Sequence, residues 1–279
     1  MISVLQLGTL DYATGLRLQR KLVDLRKEDH IGDVLLLLEH PPVITLGRNA
    51  KQKNILASAE MLAERGVEVV ESDRGGDVTF HGPGQLVGYP IFDLRGLRSS
   101  DANRKSLGAI EYVRRLEEVL VRTCVGLGIP SGRVAGLTGV WTQPEVAEPG
   151  SAWTGEGARP YTSAGSLEAK IAAIGVHISR GVTSHGFALN VNTDLDYFNL
   201  IIPCGITSKP VTSIAKELGK GQPMQDVAHA VSRNFGTVFA SQILWLDSLD
   251  ALLGDNIGVP VKLPAELRKL HKEEETFLA

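Results

Sequence analysis

Arg74-Gly75-Gly76-Asp77-Val78-Thr79-Phe80-His81-Gly82-Pro83-Gly84-Gln85-Leu86-Val87-Gly88-Tyr89-Pro90-Ile91-Phe92-Asp93 is the run on which the reading of this chain turns. The β-branched pair Val78 and Thr79 favours extended backbone, residues 86–93 form a second, largely apolar run, and Gly82, Pro83 and Gly84 punctuate the space between. The segment predicts a strand–loop–strand unit over residues 73–94. Its glycines remove the Cβ where backbone comes close to something, a ligand or a neighbouring strand. It is not a phosphate-binding loop, because it has neither GxxxxGK[ST] nor a GxGxxG that opens a helix. A tight hairpin with structural glycines is the plainer reading. Arg74 and His81, which bracket the loop, point beyond it.

Upstream, residues 34–38 are a continuous apolar run, as in a strand covered on both faces. Glu39-His40-Pro41-Pro42 breaks that run, and residues 43–46 resume an extended pattern. Residues 58–65 read as a short helix stopped by Gly66, and residues 67–70 as a strand. Residues 4–7 predict a strand, followed by a helix over 11–26 with Leu16, Leu18, Leu22, Val23 and Leu25 at helical spacing. Downstream, residues 110–127 predict an amphipathic helix ended by Gly128 and Pro130. Strands are expected over 134–141, 170–178 and 185–192, a short helix over 195–200 and a longer one over 224–244. Residues 142–167 are rich in Gly, Pro, Ser, Ala and Glu without periodicity, which predicts a loop insertion. The tail from about 263 is charged and helical in composition. Strands and helices alternate without strict βαβ regularity. The expected fold is therefore α/β (α+β): a mixed β-sheet flanked by helices in a single domain over 1–279.

Hydrophobic residues at 43% and charged residues at 22% fit an ordinary soluble globular protein. A net charge of −3 gives no reason to expect a general polyanion binder, and 5% aromatics argues against a stacking surface for nucleic acid. The longest apolar run falls far short of the ~20 residues that span a bilayer, so no membrane partner is expected. The N-terminus lacks a signal-peptide core, which makes a reducing cytoplasm the expected location. Two cysteines cannot complete a four-ligand zinc site, and CxxC and HExxH are absent, so no metal is predicted.

Cys124 lies within the amphipathic helix and reads as a small buried hydrophobe. Cys204 sits in Ile202-Pro203-Cys204-Gly205, a tight turn of the kind that carries function. A thiol becomes a good nucleophile when a nearby cation favours its thiolate. Lys170 is a candidate cation. It opens the apolar strand Lys170-Ile171-Ala172-Ala173-Ile174-Gly175, where partial desolvation would lower its pKa. The alternative is a lysine that merely marks the exposed start of a strand.

Five segments together resemble the octanoyltransferases of lipoic acid biosynthesis. They are His40-Pro41-Pro42-Val43-Ile44-Thr45-Leu46-Gly47-Arg48, residues 74–93, Gly139-Val140-Trp141, residues 170–192 and residues 199–205. The resemblance spans roughly residues 30–215 in the right order. It implies the fold of the biotin and lipoate protein ligases. It implies transfer of an octanoyl group from the phosphopantetheine of acyl carrier protein to a lysine on lipoyl domains of 2-oxoacid dehydrogenase E2 subunits or of glycine cleavage H protein. The family's catalytic cysteine falls on Cys204 and its lysine partner on Lys170. Its acyl-binding segments fall on Arg74, Gly75, Gly76, Asp77, Val78, Thr79, Phe80 and His81, on Ala173, Ile174 and Gly175, and on Gly186, Phe187 and Ala188. The thioester donor is already activated, so neither ATP nor any other cofactor is expected. Asp77 stands where this family usually has glutamine, and Phe80 where tyrosine is common.

His81 and His185 can each orient the reacting groups or simply line a polar pocket wall, and His177 reads as a surface histidine. Arg48, Lys51, Lys53 and Arg180 are candidates for a basic rim that steers acidic carrier proteins. Two other functions fit the same expected fold: an ATP-dependent ligase that adenylates a free acid, and a non-enzymatic acyl- or carrier-binding protein. The Lys170/Cys204 pair speaks against the first. A covalent octanoyl adduct would exclude the second.

Overall fold

A computed structural model describes residues 1–101, 103–143, 168–205 and 209–253, with Cys204 and Leu253 described by backbone only. The chain opens with β1 (Ile2–Thr9), α1 (Tyr12–Lys27), β2 (Asp33–Glu39) and β3 (Val43–Leu46). Then come α2 (Ala59–Glu64), β4 (Glu68–Glu71), β5 (Val78–His81), β6 (Gln85–Ile91) and α3 (Ala109–Gly126). The remainder is β7 (Ser131–Val134), β8 (Leu137–Thr142), β9 (Lys170–Ser179), β10 (Val182–Asn190), α4 (Ile214–Leu218), α5 (Met224–Val238), β11 (Ile243–Trp245) and α6 (Leu249–Leu253). Eight strands form one mixed sheet in the order β11-β1-β2-β6-β10-β9-β8-β7, and β4-β3-β5 form a second, smaller sheet. The expected mixed sheet with flanking helices is what the chain forms.

β2 shows why residues 34–38 are apolar throughout. Leu35 and Leu37 face a core built with α3 and α5, while Val34, Leu36 and Leu38 face a second core under α1. A strand covered on both faces has no position for a polar residue. The helix starts follow capping chemistry: Asp11 accepts from Thr14 N at the head of α1, and Ser58 accepts from Met61 N at the head of α2.

Two expectations need correction. The predicted strand over 134–141 is a hairpin, β7 and β8, turned at Ala135-Gly136 with Gly136 at φ 78°. The predicted helix over 224–244 ends at Val238, and Leu244 instead belongs to β11, which pairs with β1 in parallel. The predicted loop insertion beyond residue 143, and the tail from about 263, lie outside the described residues.

Candidate active site

The small sheet is laid over β9 and β10 by the loop that precedes β5. Gly75 N donates to Val176 O at 3.0 Å, and a Cβ on Gly175 would stand 2.6 Å from Gly75 O. Only glycine permits that approach. Arg74 holds the loop in shape. Its Nε donates to Thr45 Oγ1 (3.0 Å), Nη1 to Gly75 O (3.0 Å), and Nη2 to Thr45 O (2.6 Å) and Asp77 O (2.7 Å). Arg74 is buried, so its guanidinium acts as a brace for the loop backbone.

Between the sheets lies a partly open cavity of about 460 Å³. Arg74, Gly75, Gly76, Asp77, Thr79, His81, Ala173, Ile174, Gly175, Gly186, Phe187, Ala188 and His185 all line it. Val78 and Phe80, expected on the same wall, do not. Strand alternation sends them to the opposite face of β5, where they are buried with Ile44, Leu200 and Ile201, and Phe80 stacks on Tyr197 at 4.7 Å between ring centroids. Phe187 borders the cavity, but its ring packs against Phe235 in the larger core. Tyr12, Val87 and Tyr89 complete the lining and were not anticipated.

A second, smaller cavity of about 290 Å³ shares Thr79, Ala173 and Ala188 with the first as a common wall. Lys170, Gln85, Asn190 and Pro203 line it. Lys170 opens its strand but is buried, with Nζ 5.1 Å from the centre of the Trp141 ring. Its main chain is clasped by the segment that follows Cys204: Lys170 N donates to Pro210 O and Thr212 N donates to Lys170 O. Gly139 makes room for the lysine. At φ 124°, a Cβ there would stand 2.6 Å from Ala172 O and 2.9 Å from Lys170 Cε. Cys204 lies in the turn Pro203–Gly205, and Pro203 puts that turn at the cavity that Lys170 lines. The thiol itself lies outside the described residues. Cys124, as expected, is buried in α3, where burial pushes its thiol up to about 12.

His40 and His81 are held neutral by burial. The His40 ring contacts Leu10 O through Nδ1 (2.5 Å) and the Tyr89 hydroxyl through Nε2 (2.6 Å). The carbonyl must accept, so Nε2 carries the lone pair and Tyr89 donates. Gln85 donates its amide to Phe80 O and Asn190 Oδ1, leaving its oxygen to accept from His81 Nδ1 at 2.7 Å. Burial lowers His40 to about 4, and burial together with the nearby His40 and Arg74 lowers His81 to about 3. His185 has a left-handed backbone, φ 55°, uncommon for a non-glycine residue. It is pinned there by donating its N–H to Gln19 Oε1 and Nε2 to Asp73 Oδ1, both within 2.8 Å. It borders the cavity at the end away from Lys170. His177 is half-buried at the surface and accepts from Arg48 at 2.8 Å. Among the described residues no group of three or more His, Cys, Asp or Glu side chains could hold a metal ion.

Residues 11–236 match the family described as the lipoyl protein ligase A/B catalytic domain. An octanoyltransferase of Koribacter versatilis is 60% identical over 98% of this chain and 98% of its own. One of Acidobacterium capsulatum is 55% identical over 91% of this chain and 96% of its own. A bipartite archaeal lipoate protein ligase from Thermoplasma acidophilum, 18% identical, superposes with a TM-score of 0.59 over 98% of this chain and 92% of its own. A lipoate-protein ligase A solved with ATP, 17% identical, gives 0.59 over 98% and 95%. These last two show the fold.

Proposed function

This chain belongs to the lipoyl protein ligase A/B catalytic domain family and is an acyltransferase that moves octanoyl groups in protein lipoylation, and we propose that it does so through a thioester on Cys204 with Lys170 as proton partner. The observation that carries this mechanism is the shared cavity. A buried lysine and the turn bearing the cysteine line one chamber, and that chamber shares a wall of small residues with the larger cavity.

Lys170 ammonium favours the Cys204 thiolate, which attacks the carbonyl of the octanoyl thioester on its carrier. The new C–S bond forms as the carrier's breaks, and the departing thiolate takes a proton from Lys170. Exchange of one thioester for another is close to thermoneutral. The acceptor lysine, once it has lost its first proton to solvent, attacks the enzyme thioester as a neutral amine. Neutral Lys170 takes the proton lost by the attacking nitrogen, and Cys204 leaves as a thiolate beside the regenerated ammonium. Amide formation makes this second step run downhill. Main-chain N–H groups of the Cys204 turn and of residues 74–81 are the available donors for the tetrahedral oxyanion. No ATP, metal or other cofactor enters the scheme.

The protein substrates are lipoyl domains. We assign octanoyl-acyl carrier protein as the donor, the E2 lipoyl domains and glycine cleavage H protein as acceptors, and the cytoplasm as the location. No helix among the described residues is long and apolar enough to cross a membrane.

Incubation with octanoyl carrier protein should add one octanoyl mass, removable by hydroxylamine. Cys204→Ser should abolish both adduct and transfer. Lys170→Ala should remain folded but acylate at least ~100-fold more slowly, the scale of a lost general acid–base partner. Normal transfer by Cys204→Ser overturns the covalent route. Turnover that requires ATP and free octanoate would instead point to a ligase.

A further inference from the structure

Resting on that assignment, we propose that Asp77 is the binding point for the ε-ammonium of the acceptor lysine. Among the described residues lining the two cavities it is the sole acidic side chain. The cationic side chains there, Arg74 and Lys170, cannot attract an amine substrate. Asp77 is half-buried, and its Oδ2 lies 3.1 Å from where a Cβ on Gly205 would stand, one residue beyond Cys204. Oδ1 accepts from Lys51 N (3.0 Å) and Val78 N (2.8 Å), and Oδ2 accepts from Asn54 Nδ2 (2.5 Å). A carboxylate offers about four acceptor positions and three are taken, so one is open.

The same contacts fix that turn in place. Asn54 O accepts from Ile202 N at 2.7 Å, and Leu200 O accepts from Leu56 N and Ala57 N. The segment bearing Cys204 is thus strapped to residues 51–57, which Asp77 ties to β5. A neutral acceptor would serve for that strap alone. A carboxylate packed against the turn of a cysteine that has to ionise works against its thiolate. The charge gains a use once the second substrate is considered, because a free lysine arrives protonated at neutral pH. Asp77 would collect that cation at the thioester and hold it until it loses its first proton to solvent and attacks.

The test separates the two half-reactions. Asp77→Asn keeps an acceptor oxygen and the side-chain shape but loses the charge. Its deacylation by a lipoyl domain should fall about tenfold further than its acylation by octanoyl carrier protein, the scale of one charge-assisted hydrogen bond. The loss should appear in KM for the acceptor and should shrink as salt rises. Asn54→Ala leaves the charge and loosens the strap, so it should slow both half-reactions alike. If Asp77→Asn slows both equally, or slows neither, Asp77 is only part of the strap and the proposal fails. Failure of the wild-type chain to form the adduct would sink the Cys204 mechanism instead, a separate result.

Discussion

Ala173 and Ala188 face each other across β9 and β10 and stand in the wall common to both cavities. On the proposed route from the Cys204 turn into the larger cavity, an acyl tail would pass their methyl groups. Ala173→Val adds two methyl groups to that route. Octanoyl transfer should fall roughly tenfold or more relative to a four-carbon acyl, because each extra methylene in a tight pocket is worth ~1–3 kcal/mol. Competition between carriers bearing the two chains, read by intact mass, measures the ratio, and an unchanged ratio would place the tail elsewhere. At this scale the residue types were readable and their directions were not. Lys170 stands out in sequence as a cation opening an apolar strand. That it is buried depends on Trp141, Gly139 and the 210–212 segment, all brought to it from elsewhere in the chain. Val78 and Phe80 sit inside a recognisable motif, yet strand alternation turns them away from the cavity while Thr79 and His81 face it.

The elements that meet at the neutral histidines carry a pH signature. His40 follows β2, His81 ends β5, and each has its folded pKa lowered by burial from 6.5, to about 4 and about 3. Between those values and 6.5 the unfolded chain binds more protons than the folded one. Stability is therefore complete above about pH 6.5 and declines as pH falls through the window toward 4. At about pH 5 each histidine should cost ~2 kcal/mol relative to neutral pH. Thermal midpoints at about pH 7.5, 6 and 5 should drop accordingly. His40→Gln, which can still donate to Leu10 O and accept from Tyr89, should flatten the slope; an equally steep variant would remove His40 from the account. Element types were mostly legible because their periods were strong. The failures have local causes. Ala135-Gly136 is a weak turn signal inside an otherwise β-like run, so one strand was expected where a hairpin forms. β11 is three residues long, and the break before it falls at Ala240, which takes φ 49° without the glycine that usually marks such a position. What makes Ile243–Trp245 a strand is β1 beside it, a partner supplied by the other end of the chain.

At the scale of the whole molecule, the net charge of −3 hides an uneven distribution. Arg48, Lys51 and Lys53 are exposed on the segment that bridges β3 to the Cys204 turn, and Lys51 N binds Asp77 directly. Arg180 is also exposed, but it sits in the turn between β9 and β10, at the end of that hairpin away from Lys170. Read in sequence as one basic rim, the four residues are divided by the fold: Lys51 and Lys53 stay by the Cys204 turn, whereas the Arg48 guanidinium reaches His177 near the Arg180 end of β9. Acyl carriers and lipoyl domains are acidic proteins as a class, so cations beside the mouth should speed encounter more than they tighten the complex. Lys51→Glu with Lys53→Glu should therefore lower the second-order rate of Cys204 acylation roughly tenfold at low salt. The deficit should fade as the Debye length shrinks to ~3 Å near molar salt. Arg180→Glu should leave the rate within about twofold at every ionic strength, as for a charge lying beyond a Debye length of ~10 Å. Equal effects of the two changes would mean that net charge alone is sensed, whereas a deficit in the double variant that persists at high salt would mean that residues 51–53 act by shaping the Asp77 strap and not by steering.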